Sequence, residues 1–360
     1  MKKTLIIGSG IVGTYLAKQL GDRAEVWEKN KKLKRKTCGG LISKTGLNSL
    51  NLPHQETVLN KVKSAKIKAG EEQFTVERKK PQALVLDMKK LKKKLREQAK
   101  EKGAKIKKGK TWKSSQEKNQ EKDRTLVGTD GAISQVARKK SKLNPTYSTY
   151  QIVTETQVNP DQVELYLGEY APKFFAWKIP LNKKQAKLGI ATLGKNPKKA
   201  FKQFTDKEKI EIDEEEIKRE ESAPIPLFDP DKKIIGKNWA LLGDAAGQVK
   251  ATTGGGVVLG CKSAEYLAEA IKKQKLELYK QKYEENIKPG LKTHLKLRKY
   301  LNNSNKERLI KKIKKHKVDK LIEKHGDMDH PGKLKKEVMK RPQLWPLVID
   351  YLTNGKLTKK

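Results

Sequence analysis

Apolar positions along this chain come in short blocks whose period changes from segment to segment. Thr4-Leu5-Ile6-Ile7 is a continuous apolar run of strand length, and Gly8-Ser9-Gly10-Ile11-Val12-Gly13 separates it from the helical run Tyr15-Leu16-Ala17-Lys18-Gln19-Leu20. Ala24-Glu25-Val26-Trp27-Glu28 reads as the next strand. Alternation at period two predicts strands over residues 64–69 and 73–77, followed by Ala83-Leu84-Val85-Leu86. Residues 88–102 switch to the helical period, with Met88, Leu91 and Leu95 on one face and lysines around the rest. Strands resume at residues 150–154, 163–167, 174–179 and 187–191. Asn238-Trp239-Ala240-Leu241-Leu242 is a further strand, and a long helix opens at Val257 after Thr253-Gly254-Gly255-Gly256. Residues 290–360 read as basic helices ending in the apolar stretch 344–352.

The first glycine-rich stretch sits where a dinucleotide fingerprint requires it, between a strand and a helix. Gly8 allows the tight turn, Gly10 lets the backbone approach a pyrophosphate, and Gly13 lets the helix pack on the strand; Val12 lies within the same turn. Glu28 ends the second strand, where its carboxylate can accept from a ribose diol and repel a 2′-phosphate. The second stretch decides which dinucleotide is expected. Gly243-Asp244-Ala245-Ala246-Gly247 ends a strand, and Gly255, Gly256 and Val257 open a helix far from the first fingerprint. A nicotinamide dinucleotide has no need of such a return, whereas the ribityl chain and ring of FAD extend past the pyrophosphate and call for a second helix N-terminus.

These motifs, with three more, resemble the para-hydroxybenzoate hydroxylase-like branch of the glutathione-reductase-type flavoproteins, and within it the geranylgeranyl reductases. Cys38-Gly39-Gly40, preceded by Lys36-Thr37, is similar to the family's flavin-side loop. Thr129-Asp130-Gly131-Ala132-Ile133-Ser134 is similar to its Asp-Gly turn, and residues 172–180 to its Pro-x-x-Tyr-x-Trp-x-Phe-Pro strand. The resemblance covers about residues 1–290 and implies an α/β fold: a glutathione-reductase-type FAD-binding, Rossmann-like domain interleaved with an α+β antiparallel-sheet substrate domain and a C-terminal helical region. By that pattern residues 1–60, 88–140 and 232–288 form the FAD domain, 61–87 and 147–226 the substrate sheet, and 290–360 the basic helical region. Where relatives carry an Arg, this chain has Leu86-Asp87-Met88, so a cationic contact to FAD is missing there; the substrate strand has Phe175 and Ile179 in place of Tyr and Phe. The loop from 107 to 124 has little apolar content apart from Trp112, which is counted with the cofactor contacts.

The implied chemistry is hydrogenation of an isolated double bond in a polyprenyl chain, most specifically of digeranylgeranylglycerophospholipids. An unactivated alkene needs a hydride donor held close, a proton for the other carbon, and exclusion of water. Phe175, Trp177 and Ile179 share one strand face and could wall an apolar tunnel, or could be ordinary sheet core. Cys38 is the candidate flavin-proximal acid, or else a structural thiol; Cys261 reads as a small core residue. The five histidines show no metal-ligand spacing, 325–330 reads as a solvated turn, and Asp213-Glu214-Glu215-Glu216 as a solvated helix start. Geranylgeranyl diphosphate, a polyprenyl quinone and a flavin monooxygenase reaction stay open, and so does the electron donor, ferredoxin or NAD(P)H.

Charge widens the range of partners. In 360 residues, 83 Lys+Arg against 42 Asp+Glu give a net charge of +41, which attracts polyanions. An anionic membrane surface is expected, with Lys311-Lys312-Ile313-Lys314-Lys315 in an amphipathic stretch that is either membrane-facing or solvated. The different-class alternative is a basic nucleic-acid-binding protein on a vestigial flavin fold, although no nucleic-acid module accompanies the charge. With 35% hydrophobic residues the fold requires the lysines to lie outside. Two cysteines argue against a disulfide framework, and no run reaches the roughly 20 apolar residues of a spanning helix, so a cytoplasmic, peripheral protein is expected.

Overall fold

A computed structural model describes residues 3–33, 37–116, 124–329, 332–341 and 344. Lys36, residues 117–123 of the Trp112 loop, His330 and the apolar ending 345–352 lie outside the described residues. Three sheets organise the rest. The first is parallel and five-stranded, in the order Trp239–Leu241, Arg124–Gly128, Lys3–Ile7, Ala24–Glu28, Lys105–Lys108. Its central strands are buried on both faces, which is why Leu5-Ile6-Ile7 is uninterrupted rather than alternating. Beside it the helix Ile11–Leu20 packs against both Met88–Glu101 and Val257–Lys272, and the three contribute to the main core.

The second sheet is antiparallel apart from one pair. Its order is Ile217–Glu221, Thr146–Glu155, Gln185–Thr192, Ala176–Pro180, Gln162–Tyr166, Ser64–Ala69, Glu72–Glu77, with Pro224–Pro226 pairing alongside Thr146–Glu155. The parallel pair, Gln162–Tyr166 with Ser64–Ala69, joins two segments distant in sequence. Ala83–Leu86 belongs to neither large sheet; it lies between Leu41–Ser43 and Val58–Val62 in a three-stranded one. The second sheet is apolar on both faces: Phe175, Trp177 and Ile179 join one cluster, while Ala176, Leu188 and Ile190 join the other beneath the Pro197–Lys207 helix. Residues 213–216 form a turn leading into the Ile217–Glu221 strand, not a helix start, because Asp213 accepts from the Glu215 and Glu216 amides in a closed loop.

The C-terminal helices Lys306–Lys315 and Val318–His325 cover the edge strand Glu72–Glu77. Leu309 and Ile310 are buried, and Lys314 Nζ pairs with Glu72 at 2.9 Å. The amphipathic stretch therefore packs on the protein's own sheet edge, with Lys311 and Lys314 turned toward Glu72 and Lys315 exposed. Among the described residues no helix is long and apolar enough to cross a membrane.

One expectation is corrected. Most lysines lie outside, yet Arg96, Lys187, Lys232, Lys250 and Arg298 are buried. Burying a cation is costly unless acceptors surround it. Every one of the five finds acceptors beside a glycine-rich loop.

Candidate functional site

The two glycine-rich stretches meet. A Cβ on Gly243 would lie 3.2 Å from Val12 Cγ2, and one on Gly260 would lie 3.3 Å from Gly243 Cα, so the start of the Ile11–Leu20 helix rests against the start of Val257–Lys272. Both helices begin on glycine, Gly10 and Gly256, with no side-chain cap. Ser43, Asp87, Ser134, Asn196 and Asn305 cap their helices with side-chain oxygens, whereas Leu276–Asn286, Lys288–Asn303 and Val318–His325 also start without one. Leaving two converging N-termini bare aims amide N–H groups at one place, which suits an anionic ligand. Gly10 has extended backbone angles open to any residue, and a Cβ there would touch nothing within 4 Å; that open space is the cradle a pyrophosphate would need. Gly13 differs: a Cβ would overlap Thr129 Oγ1 and the Gly8 carbonyl, so its glycine serves close packing.

Asp130 and Gly131 form the turn under Gly8, whose Cβ would lie 2.8 Å from Asp130 Cα. Burial holds the Asp130 carboxyl above its usual range, and it accepts from Ser134 Oγ and from the Gln135 amide. Asp244 lies across the cradle, its Oδ1 3.4 Å from where a Gly256 Cβ would stand, where the helix N-terminus favours negative charge. Gly247 takes a left-handed conformation, φ 71°, that closes the 243–247 turn. The Gly243 amide donates to Gln248 Oε1, which ties that turn to Tyr279 and the Leu241 carbonyl.

Glu28 is buried and heavily engaged. Its Oε2 accepts from Ser9 N and Oγ and from Arg96, and its Oε1 from Asn30 N at 3.0 Å and Nδ2 at 2.9 Å. A ribose hydroxyl would reach this carboxylate by displacing Asn30. Burial works against the charged form, but the hydrogen bonds from Ser9 and Asn30 and the charge of Lys92 outweigh it, leaving the carboxyl below the usual glutamate range. Arg96 also answers the departure at Leu86-Asp87-Met88. Asp87 caps its helix, Met88 packs on the core, and the guanidinium comes from Arg96 two turns later. Arg96 Nε and Trp112 Nε1 are buried without partners, the kind of orphaned donors that a nucleotide would satisfy.

Cys38-Gly39-Gly40 abuts the substrate sheet. A Cβ on Gly39 would lie 2.9 Å from Ile179 Cδ1, and Lys187 Nζ donates to Cys38 O at 2.9 Å and Gly39 O at 3.0 Å. Lys187 sits between Val153 and Ile179 in strand register. Trp177 Nε1 donates to buried Gln151 Oε1, and Gln151 Nε2 to Glu221. A cavity of about 200 Å³ opens beside Cys38, and its lining mixes the apolar Leu59, Leu86, Met88 and Leu181 with the charged Lys187, Arg219 and Glu221. Phe175, Trp177 and Ile179 do not line this cavity; Phe175 stacks on Phe174, which Arg298 covers at 4.7 Å.

The remaining buried cations serve the other loops. Lys232 donates to Ala245 O at 2.8 Å and to Asn144, and burial brings its ammonium down to about 8. Arg298 donates to Ala251 O and Thr252 O, and Thr252 Oγ1 meets His294 Nδ1 at 2.7 Å. Lys250, just before the triple glycine, pairs with Asp329 at 2.7 Å. The 325–329 turn is thus not wholly solvated. These residues escaped sequence reading because a single cation in a lysine-rich chain carries no signal. Arg96, the one arginine in its helix, and Lys187, between apolar neighbours in a strand, were the nearest to one.

A parallel FAD-type sheet with a fingerprint helix, joined to an antiparallel substrate sheet and C-terminal helices, defines the class: a flavoprotein reductase or monooxygenase fold. Comparison with known proteins narrows it. The chain is 28% identical to an uncharacterized protein of Methanocaldococcus jannaschii over 93% of this chain and 94% of that one. It is 26% identical to that organism's digeranylgeranylglycerophospholipid reductase over 64% of this chain, a match spanning 63% of the reductase, under two thirds of its length. A geranylgeranyl bacteriochlorophyll reductase-like structure from Thermoplasma acidophilum superposes with a TM-score of 0.77 at 21% identity, covering 97% of this chain and 99% of that one. No family model matches the sequence. The chain is thus similar in sequence to geranylgeranyl reductases and shares the fold of a geranylgeranyl reductase-like structure.

Proposed function

We propose that this protein binds FAD and hydrogenates double bonds of geranylgeranyl chains, with digeranylgeranylglycerophospholipids as the substrate class. The observation that carries the reading is the closure of the substrate sheet on the Cys-Gly-Gly loop, where Ile179 and Lys187 both reach Cys38-Gly39. Gly10 and Val12 with Asp130 would hold the pyrophosphate end, with Gly13 packing the helix close behind them, and Gly243, Asp244, Gly247, Gly255, Gly256 and Val257 the ribityl and ring end; Arg96 and Trp112 offer unpartnered N–H donors. Bound and reduced, FAD supplies the hydride. Cys38 Sγ would hold the proton destined for the second alkene carbon. Leu59, Met88 and Leu181 in the cavity lining would give an isoprenoid apolar contact and keep water away, while Lys187 and Arg219 in the same lining would favour an anionic headgroup. An anionic membrane surface would attract the lysine-rich exterior and present the lipid.

The experiment is anaerobic: protein reconstituted with FAD, reduced with dithionite, and given a geranylgeranyl lipid, with products read by mass spectrometry. A gain of two hydrogens per double bond supports the reading. Incorporation of oxygen under air, with no hydrogenation in its absence, would replace it by a monooxygenase. A colourless protein that refuses FAD yet binds RNA with a steep salt dependence would favour the nucleic-acid alternative.

A further inference from the structure

Asp329 lies in the turn that follows the helix Val318–His325, yet its carboxylate is among the most enclosed in the molecule, with only 2% of the side chain exposed. Its two oxygens serve loops that are remote in sequence. Oδ1 accepts from Lys250 Nζ at 2.7 Å, and the same ammonium donates to Met328 O at 3.1 Å. Oδ2 accepts from Ser43 Oγ, the residue that also caps the Lys44–Asn48 helix through the Gly46 amide. Gly46 has no room for a side chain, because its Cβ would stand 2.5 Å from Asp329 Oδ2 and 2.7 Å from Val258 Cγ2.

Each partner is tied in turn to a cofactor loop. Ser43 ends the short strand Leu41–Ser43 that runs directly out of Cys38-Gly39-Gly40. Lys250 braces the triple glycine: its amide donates to Gly255 O at 3.1 Å, and its carbonyl accepts from Gly254 N at 2.8 Å and Thr253 N at 3.2 Å. One carboxylate therefore couples the Cys-Gly-Gly loop to the Thr-Gly-Gly-Gly loop. A buried ion pair is a poor source of net stability, so fixing the relative position of two loops is the more economical reason to keep it.

Resting on the FAD reading above, we propose that Asp329 is a positioning residue, a clasp by which the C-terminal turn holds the two glycine loops at the separation that the flavin requires. The clasp has consequences in the apoprotein as well, because Ser43 restrains the segment that carries Cys38.

The test uses the full chain. Asp329→Asn is expected to weaken FAD binding by roughly tenfold, read by quenching of flavin fluorescence, and to speed iodoacetamide labelling of Cys38 in the apoprotein by a similar factor. Cys261 is fully buried and gives no competing signal. The double variant Asp329→Asn with Lys250→Met removes the stranded charge and serves where the single variant folds poorly. A restored thermal midpoint with FAD affinity still weak and Cys38 still fast supports the clasp. Recovery of FAD affinity and Cys38 protection together with stability would overturn it, as would a single variant that melts earlier but binds FAD and shields Cys38 like the parent. Should the parent itself take up no FAD, the functional reading falls, and the Cys38 rates alone decide the clasp: a faster rate in the variant supports it and an unchanged rate refutes it.

Discussion

Replacing Gly10 by alanine separates a cofactor cradle from a structural turn. Gly10 has φ −64° and ψ 179°, ordinary extended backbone for any residue, and an added Cβ would meet nothing within 4 Å. Two small terms act on the apoprotein. Alanine gains about 0.4–1 kcal/mol by restricting the unfolded chain, and as an N-cap it is worse than glycine by a comparable few tenths to 1 kcal/mol. They offset, so thermal unfolding of the apoprotein should barely move. Binding should not be spared. The methyl group would stand between a phosphate and the bare amides of the Ile11–Leu20 helix, and loss of one or two charge-assisted hydrogen bonds costs about 2–4 kcal/mol. That corresponds to a weakening of roughly 30- to 1,000-fold. The assay pairs a thermal melt of the apoprotein with an FAD titration followed by flavin fluorescence. Gly13→Ala is the control, because its Cβ would overlap Thr129 Oγ1 and the Gly8 carbonyl and should destabilise the apoprotein itself by about 1–3 kcal/mol. If Gly10→Ala binds FAD as the parent does, the cradle argument is refuted.

Other substitutions probe the surroundings. Arg96→Met strands the buried Glu28 carboxylate and should cost about 3–5 kcal/mol in urea unfolding; a loss below about 1 kcal/mol would mean that Ser9 and Asn30 satisfy Glu28 unaided. Burial tends to raise the Glu25 carboxyl, but hydrogen bonds from Trp27 and Lys107 and the charge of Arg124 bring it down to about 2. Because its folded-state pKa is depressed, Glu25 contributes stability that is present above the ordinary glutamate pKa and is lost as pH falls toward 2, so Glu25→Gln should flatten the acid limb of a stability–pH curve and leave its neutral-to-basic slope unchanged. In native protein iodoacetamide should modify Cys38 alone; burial pushes the Cys261 thiol far up, and modification of Cys261 should appear only on unfolding. Trp177→Phe leaves Gln151 Oε1 without its donor and should cost about 1–3 kcal/mol in thermal or urea unfolding.

Much of the architecture was legible because it rests on local pattern. The unbroken run Leu5-Ile6-Ile7 marks a strand buried on both faces, and the spacing of Gly8, Gly10 and Gly13 marks a turn that a helix must follow. The alternation of Trp177 and Ile179 placed both on one sheet face, where the structure has them. Local pattern failed where a residue's task depends on a distant partner. Lys311-Lys312-Ile313-Lys314-Lys315 reads as amphipathic whether a membrane or a sheet edge meets it, and only the fold shows the Glu72–Glu77 strand there.

The sequence by itself determined the elements, their order and the two glycine stretches, since period and backbone freedom are properties of neighbouring residues. Which of the many lysines and arginines would be buried was decided by tertiary structure alone. A cation can leave water only where the chain brings acceptors around it. For Arg96, Lys187, Lys232, Lys250 and Arg298 those acceptors belong to loops assembled from opposite ends of the chain.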